Sequence, residues 1–305
     1  MRRMTVAVIA AITLVWSAVP AMALTPVKVI GGPVYWPSSN GTYLAWTSKA
    51  TNPSNVYVKE LPSGTPERVN PEGTGGEQAS FVGSSNVLVY DQWTVGSQGD
   101  IYFYDVSTGT RTEAPAAVNK PRTFEWAAMA SDNYILFMRH KWSSSGKLLN
   151  QWLLLYDRNS GVMTTLESSS KLYRPTFAGT TYVAWFVCGS AGCAIHYWSE
   201  ADGEQVQPTD QGRNQYANTI DEATSQIYFV RSGSTDCKGA TIRRADLGSS
   251  TSTILTTLPR GIAIGLGPMS VATNVETSHQ DLYFERWSCK RETGHIYKLE
   301  GVDTV

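Results

Sequence analysis

Charge is scarce in this chain: Asp, Glu, Lys and Arg make 17% of its 305 residues, against 42% hydrophobic. That excludes a disordered polyelectrolyte. The balance of 25 basic against 26 acidic residues also lacks the basic excess of a general nucleic-acid binder. Histidine is scarcer still, with only His140, His196, His279 and His295. No G-x-S-x-G elbow, H-E-x-x-H pair, P-loop or D-x-D-x-D calcium loop is present. Beyond the first 23 residues no apolar run approaches the roughly 20 needed to span a bilayer. Nor does any amphipathic helical pattern exceed about two turns. The sequence therefore assigns no catalytic residue, metal or cofactor, no nucleic-acid partner and no membrane insertion.

The start of the chain reads as a secretory signal. Arg2 and Arg3 supply the positive end, Thr5–Val19 the apolar stretch and Ala21-Met22-Ala23 the small-x-small cleavage site. The rest of a twin-arginine motif is missing, which favours the general export route. The expected division is a signal over residues 1–23 and one secreted domain, monomeric, over 24–305. Four cysteines remain, Cys188, Cys193, Cys237 and Cys289, an even set that suits disulfides in an exported chain and matches no zinc-ligand spacing.

Turn residues reveal a repeat. An apolar strand, a Gly turn and a Thr-rich strand recur at Gly64, Gly109, Gly161, Gly203, Gly248 and Gly301, 42 to 53 residues apart. That spacing suits a β-propeller. Upstream of each Gly lies a second apolar strand: Tyr43–Trp46, Val87–Tyr90, Tyr134–Met138, Tyr182–Phe186, Ile227–Val230 and Leu282–Glu285. A shorter inner strand precedes each of those, ending with Pro268–Val271 in the last unit. The expected fold is all-β: a six-bladed β-propeller of four-stranded antiparallel blades. The last unit lacks a convincing fourth strand, and Pro26–Ile30 has no unit of its own. The N-terminal strand should therefore complete the last blade and leave no open edge.

The unit from Phe81 to Thr110, with Leu88-Val89-Tyr90 and Asp100-Ile101-Tyr102-Phe103-Tyr104-Asp105-Val106-Ser107-Thr108-Gly109, resembles the WD-like repeat of TolB-type propellers. Tyr43–Gly64 and Tyr134–Gly161 do the same. The family's usual Trp-Ser-Pro-Asp-Gly turn is here Val82-Gly83-Ser84-Ser85-Asn86 or Ala178-Gly179-Thr180. The resemblance implies a six-bladed ring that binds protein, and carries no catalytic residue to transfer.

Aligning the inner strands places Glu77/Gln78, Glu125/Trp126, Tyr173/Arg174, Gln215/Tyr216 and Leu266/Gly267 at one mouth of the channel. Loops between the middle strands add Arg139, His140, Trp142, Arg231, Arg286 and Trp287 to that face. Arg174 would be the fork for a carboxylate. The plainer alternative is that these groups hydrogen-bond one another and hydrate a channel. Arg139–Asn150 reads as the longest loop of its kind, and Ser143–Gly146 as its flexible part. Cys188 and Cys193 bracket one middle loop, while Cys237 and Cys289 lie in equivalent loops of consecutive units. The expected bridges are thus Cys188–Cys193 and Cys237–Cys289. His196, between two apolar strand neighbours, reads as structural. The leading expectation is an extracytoplasmic binding or scaffold propeller for a protein segment or cell-envelope component. The alternative is a polysaccharide-active enzyme at the channel mouth, a hydrolase with Glu77 and Glu125 as its carboxylates or a glycan lyase drawing on Tyr173, Tyr216, His140 and Arg174.

Overall fold

The computed structural model describes residues 23–94, 99–168, 171–208, 214–232, 237–265, 267–290 and 293–305. The signal and Leu266 lie outside them. The described strands form six sheets arranged as propeller blades, four of whose antiparallel strands run from the inside outwards. Blade 1 comprises Val34–Ser39, Tyr43–Ser48, Asn55–Glu60 and Glu67–Arg68. Blade 2 comprises Gly75–Phe81, Val87–Trp93, Asp100–Asp105 and Thr110–Glu113. Blade 3 comprises Phe124–Ala130, Tyr134–Trp142, Leu148–Asp157 and Met163–Glu167. Blade 4 comprises Leu172–Ala178, Tyr182–Gly189, Gly192–Ser199 and Gly203–Val206, and blade 5 Asn214–Asp221, Gln226–Ser232, Ala240–Asp246 and Thr253–Leu258. Blade 6 has Gln280–Ser288 and Thr293–Leu299 as its middle strands, and its outer strand is the N-terminal Val27–Ile30. The ring closes as expected, with Val27 opposite Lys298 and Ile30 opposite Ile296.

The second strands are apolar almost without interruption because each is covered on both faces by neighbouring blades. Val89 and Ile101 of blade 2 pack with Ile135, Phe137 and Leu154 of blade 3. At the closure, Val34, Leu44 and Trp46 of blade 1 pack with Tyr283 and Ile296 of blade 6. The Gly of each repeat is explained by its turn. In blade 2, Asp105 accepts from the Ser107 amide (2.8 Å) and its carbonyl accepts from the Gly109 amide (2.8 Å). Gly109 is left at φ 67°, where a β-carbon is costly.

The inner strands of blades 1 to 5 each carry a register shift. Trp36, Gln78, Ala127 and Ala217 sit at these bulges with positive φ. A bulge bends the strand and re-aims the side chains around it. Hydroxyls then tie blade to blade. Ser38 Oγ accepts from the Phe81 amide (2.9 Å), Ser270 Oγ accepts from the Ser39 amide (2.9 Å), and Thr176 donates to Asn218 (2.9 Å).

Two expectations need correction. The inner strand of blade 6 is not a single Pro268–Val271 segment but two pieces, Ile262–Ile264 and Ser270–Thr273, both paired with Gln280–Ser288. The residues between them make room for side chains of the site described below. Nor is Arg139–Asn150 a long loop. The ladder runs on to Trp142 opposite Leu148, leaving only a short turn closed by the Ser143 amide on the Lys147 carbonyl (2.8 Å). Serine and glycine signal the turn, while the flanking strand residues escape notice because they are polar.

Both disulfides pair as expected, Cys188 with Cys193 and Cys237 with Cys289. The second joins residues 52 apart in sequence and ties blade 5 to blade 6. Replacing Cys237 and Cys289 by Ser should cost about 4 kcal/mol in the chain-entropy account of such a loop. Chemical denaturation checks it, and a midpoint equal to wild type would refute it.

Candidate functional site

The blade registers bring the start of each inner strand against the end of its second strand. Glu77 faces Asp91, Glu125 faces Arg139, Gln215 faces Arg231 and Ile264 faces Arg286. A charged residue thus terminates several apolar second strands at the same end of the ring. This places the predicted inner-strand and middle-loop residues on one face.

Arg174 organises that face. It projects from blade 4, yet its guanidinium carbon lies 5.5 Å from the ring of Trp36, on blade 1, and 5.3 Å from that of Trp126, on blade 3. Blades 1 and 4 are opposite in a six-bladed ring, so the guanidinium lies on the axis. It is half-buried, and its Nε is buried without a hydrogen-bond partner. Burial lowers its pKa, while Glu77, Glu285 and Asp91 act against that shift.

Glu285 ends the apolar run of blade 6's second strand and is buried among these groups. Its Oε2 accepts from the Trp36 amide at 3.5 Å, and its Oε1 has no partner. Burial drives its pKa up to about 8, against opposing pulls from that amide, Arg174 and Lys49. Asp91 is likewise raised well above the carboxylate range, first by burial and then by Glu77. Glycine makes the space: a β-carbon at Gly267 would collide with the Trp36 indole, and one at Gly265 with the Glu285 carboxyl. The Glu77 carboxylate accepts from Ser54 Oγ (2.6 Å) and lies 3.7 Å from Lys49 Nζ. That ammonium in turn sits over the Tyr35 and Trp36 rings.

The other predicted residues divide. Glu125 is fully buried and held by Arg139 Nε (2.6 Å) and Thr123 Oγ1 (2.5 Å), while Arg139 also donates to the carbonyls of Ala117 and Val118. Glu125 is therefore committed to Arg139, whereas Glu77 acts on Arg174 and Asp91. Gln78, Tyr173, Gln215, Tyr216 and Arg231 are buried beneath the mouth. Burial alone lowers the His140 pKa to about 4, and the ring lies edge-on between Trp126 (5.1 Å) and Trp142 (5.9 Å). Trp142 is 49% exposed at the tip of blade 3. Trp287 packs on Tyr35 at 5.3 Å, and Arg286 covers the Tyr297 ring.

Sequence reasoning missed Trp36, Lys49, Asp91 and Glu285. The signal for the two acids was present: each is a carboxylate at the end of an apolar second strand. Nothing in the repeat marks Trp36, because its role depends on a bulge and on Gly267 of another blade.

The opposite mouth holds a cavity of about 510 Å³, lined by hydroxyls from Ser38, Ser80, Thr176, Thr219 and Ser270 among others. Two of its acids are engaged. Glu222 accepts four hydrogen bonds from Thr180, Thr181 and Tyr182, and Asp221 accepts from Thr224 and Gln280. No Lys or Arg lines it among the described residues, so the Arg174 end is the mouth with a cation to offer a ligand.

No protein-family model matches the sequence, and no curated protein matches it. Solved structures do. TolB from Acinetobacter baumannii superposes with a TM-score of 0.53 at 12% identity, over 90% of this chain and 65% of that one. This chain thus spans just under two thirds of that TolB. A TolB from Agrobacterium tumefaciens gives 0.54 at 11% identity, over 90% of both chains. An oligogalacturonate lyase in complex with manganese gives 0.51 at 12% identity, over 92% of this chain and 99% of that one. One propeller architecture thus carries both a Tol protein and a lyase, so likeness at this identity identifies shape and leaves chemistry to the site. The chain has the six-bladed propeller fold seen in TolB.

Proposed function

We propose that this protein is a secreted, extracytoplasmic binding propeller whose Arg174 mouth captures a carboxylate on a segment of a partner protein. The observation that carries this reading is Arg174 itself. A guanidinium on the axis, flanked by two indoles and with a buried unpartnered Nε, is oriented before any ligand arrives. At neutral pH the pKa of about 8 keeps most of Glu285 protonated, so this carboxyl adds little counter-charge to Arg174. Glu77 stands first among the acids that act on the guanidinium. Arginine and aromatic side chains are the usual anchors of protein interfaces, and Trp142, Trp287 and Tyr35 rim the same face. Two disulfides suit an oxidising compartment, and the N-terminal signal would deliver the chain there as a monomer. The commitment of Glu125 to Arg139 weighs against a Glu77–Glu125 catalytic pair.

The test compares wild type with Arg174→Ala on a peptide array carrying free or amidated C-termini, and in capture from the source cell's envelope. Free-carboxylate peptides should bind, amidated ones should not, and Arg174→Ala should weaken binding about 10- to 100-fold, the worth of a charged hydrogen bond. Undiminished capture by Arg174→Ala would reject this site.

A further inference from the structure

Far from the mouth, on the outer part of the ring, three side chains from two blades converge. Glu167 ends the outer strand of blade 3. His196 lies on the third strand of blade 4 and Glu204 on its outer strand. One ligand-type atom from each lies within 4.8 Å of the others, and His196 Nδ1 is 2.7 Å from Glu204 Oε1. We propose that Glu167, His196 and Glu204 form a binding site for a divalent transition-metal ion of the zinc type, clasping blade 3 to blade 4.

The donor set suits such an ion: one imidazole nitrogen and two carboxylates, with room for water in a fourth position. Zinc holds N and O donors at about 2.0–2.2 Å, so donors of a tetrahedral site stand about 3.4 Å apart. The three atoms are already near that spacing. Binding would replace the His196–Glu204 hydrogen bond and draw in Glu167.

The ligands are positioned by the fold. His196 is stacked on Trp185 at 5.6 Å, an indole fully buried in the blade, which fixes the plane of the imidazole. His196 faces Val206 in the ladder, and Glu204, two residues before it, emerges on the same face of the sheet. Glu167 makes no hydrogen bond or ion pair among the described residues, although it stands beside a second carboxylate. Two like charges around one imidazole call for a cation. The competing arrangement is the metal-free one, the His196–Glu204 hydrogen bond with Glu167 beside it.

Calorimetric titration of the full, tag-free chain with zinc chloride after chelator treatment separates the two. One equivalent of zinc should bind. Glu167→Gln and Glu204→Gln, both nearly isosteric, should each weaken binding at least tenfold while the circular dichroism is unchanged. Zinc should raise the thermal midpoint of wild type and not that of Glu167→Gln. Cobalt(II) should give a visible absorption band that Glu204→Gln lacks. Absence of zinc binding at millimolar concentration would overturn the proposal. Equal affinity in wild type and either variant would overturn the three-ligand site.

Discussion

A chain that begins at Gly31 should melt on the order of 10 °C below the protein that retains Val27–Ile30. The deleted strand is short and its side chains only partly buried, but it contributes at three levels. It pairs along Ile296–Lys298, so its loss removes a few ladder hydrogen bonds, each worth about 1 kcal/mol. Val29 and Ile30 pack against the cluster of Val34, Leu44 and Ile296, and partial burial of two such side chains adds roughly 2 kcal/mol. The expected total is about 5 kcal/mol, at roughly 2 °C per kcal/mol for a domain of this size. The deletion also opens the last blade, leaving Thr293–Leu299 as an unpaired edge available to other chains. Calorimetry reads the first effect and light scattering the second. Superimposable melting curves would show that the ring does not depend on closure.

The second large effect concerns Glu285. Its carboxyl titrates near 8 in the folded protein, mainly because it is buried, against an ordinary value of 4.5. The folded state therefore holds a proton that the unfolded chain has released, and this group's contribution to stability falls as pH rises from about 4.5 to 8, levelling above that. The loss is on the order of 5 kcal/mol. Glu285→Gln keeps an acceptor for the Trp36 amide and cannot ionise. Its stability relative to wild type should climb across that window and stay high beyond it. Denaturant melts at pH 5, 7 and 9 check this; a constant difference would place the titration elsewhere. In the same window, ionised Glu285 would begin to neutralise Arg174, so carboxylate binding should weaken above about pH 8.

Most of the fold was legible because a propeller repeats its instructions. The Asp and Gly around residues 105–109 recur as Asp157 and Gly161, where Asp157 again accepts from backbone amides and Gly161 again takes positive φ. Second strands such as Ile135–Met138 are apolar on both faces in every blade, which a one-dimensional reading can count. The disulfides followed once the strands were aligned. The site was less legible because it belongs to no single repeat. Arg174 was singled out for its residue type and position, but its setting joins Trp36, Trp126 and Glu285 from three other blades. Bulges decide which way those side chains point, and a bulge leaves no reliable mark on sequence. In blade 6 the inner strand is divided around Gly265 and Gly267, whose missing side chains admit Glu285 and Trp36, so the repeat is broken where the site needs space.

The pairing of Val27–Ile30 with Thr293–Leu299 also sets an order of events in biosynthesis. The first strand of the propeller to be made finds its partner only when Thr293–Leu299 has been added. Until then blade 1 has no neighbour on one side and the opening strand has no ladder. Local pairing within each hairpin can proceed at once, but closure must await Thr293–Leu299 and pays the loop entropy of the entire ring. The nascent protein is thus a spiral of completed blades with two exposed ends, and it needs shielding from other chains until the ring has closed.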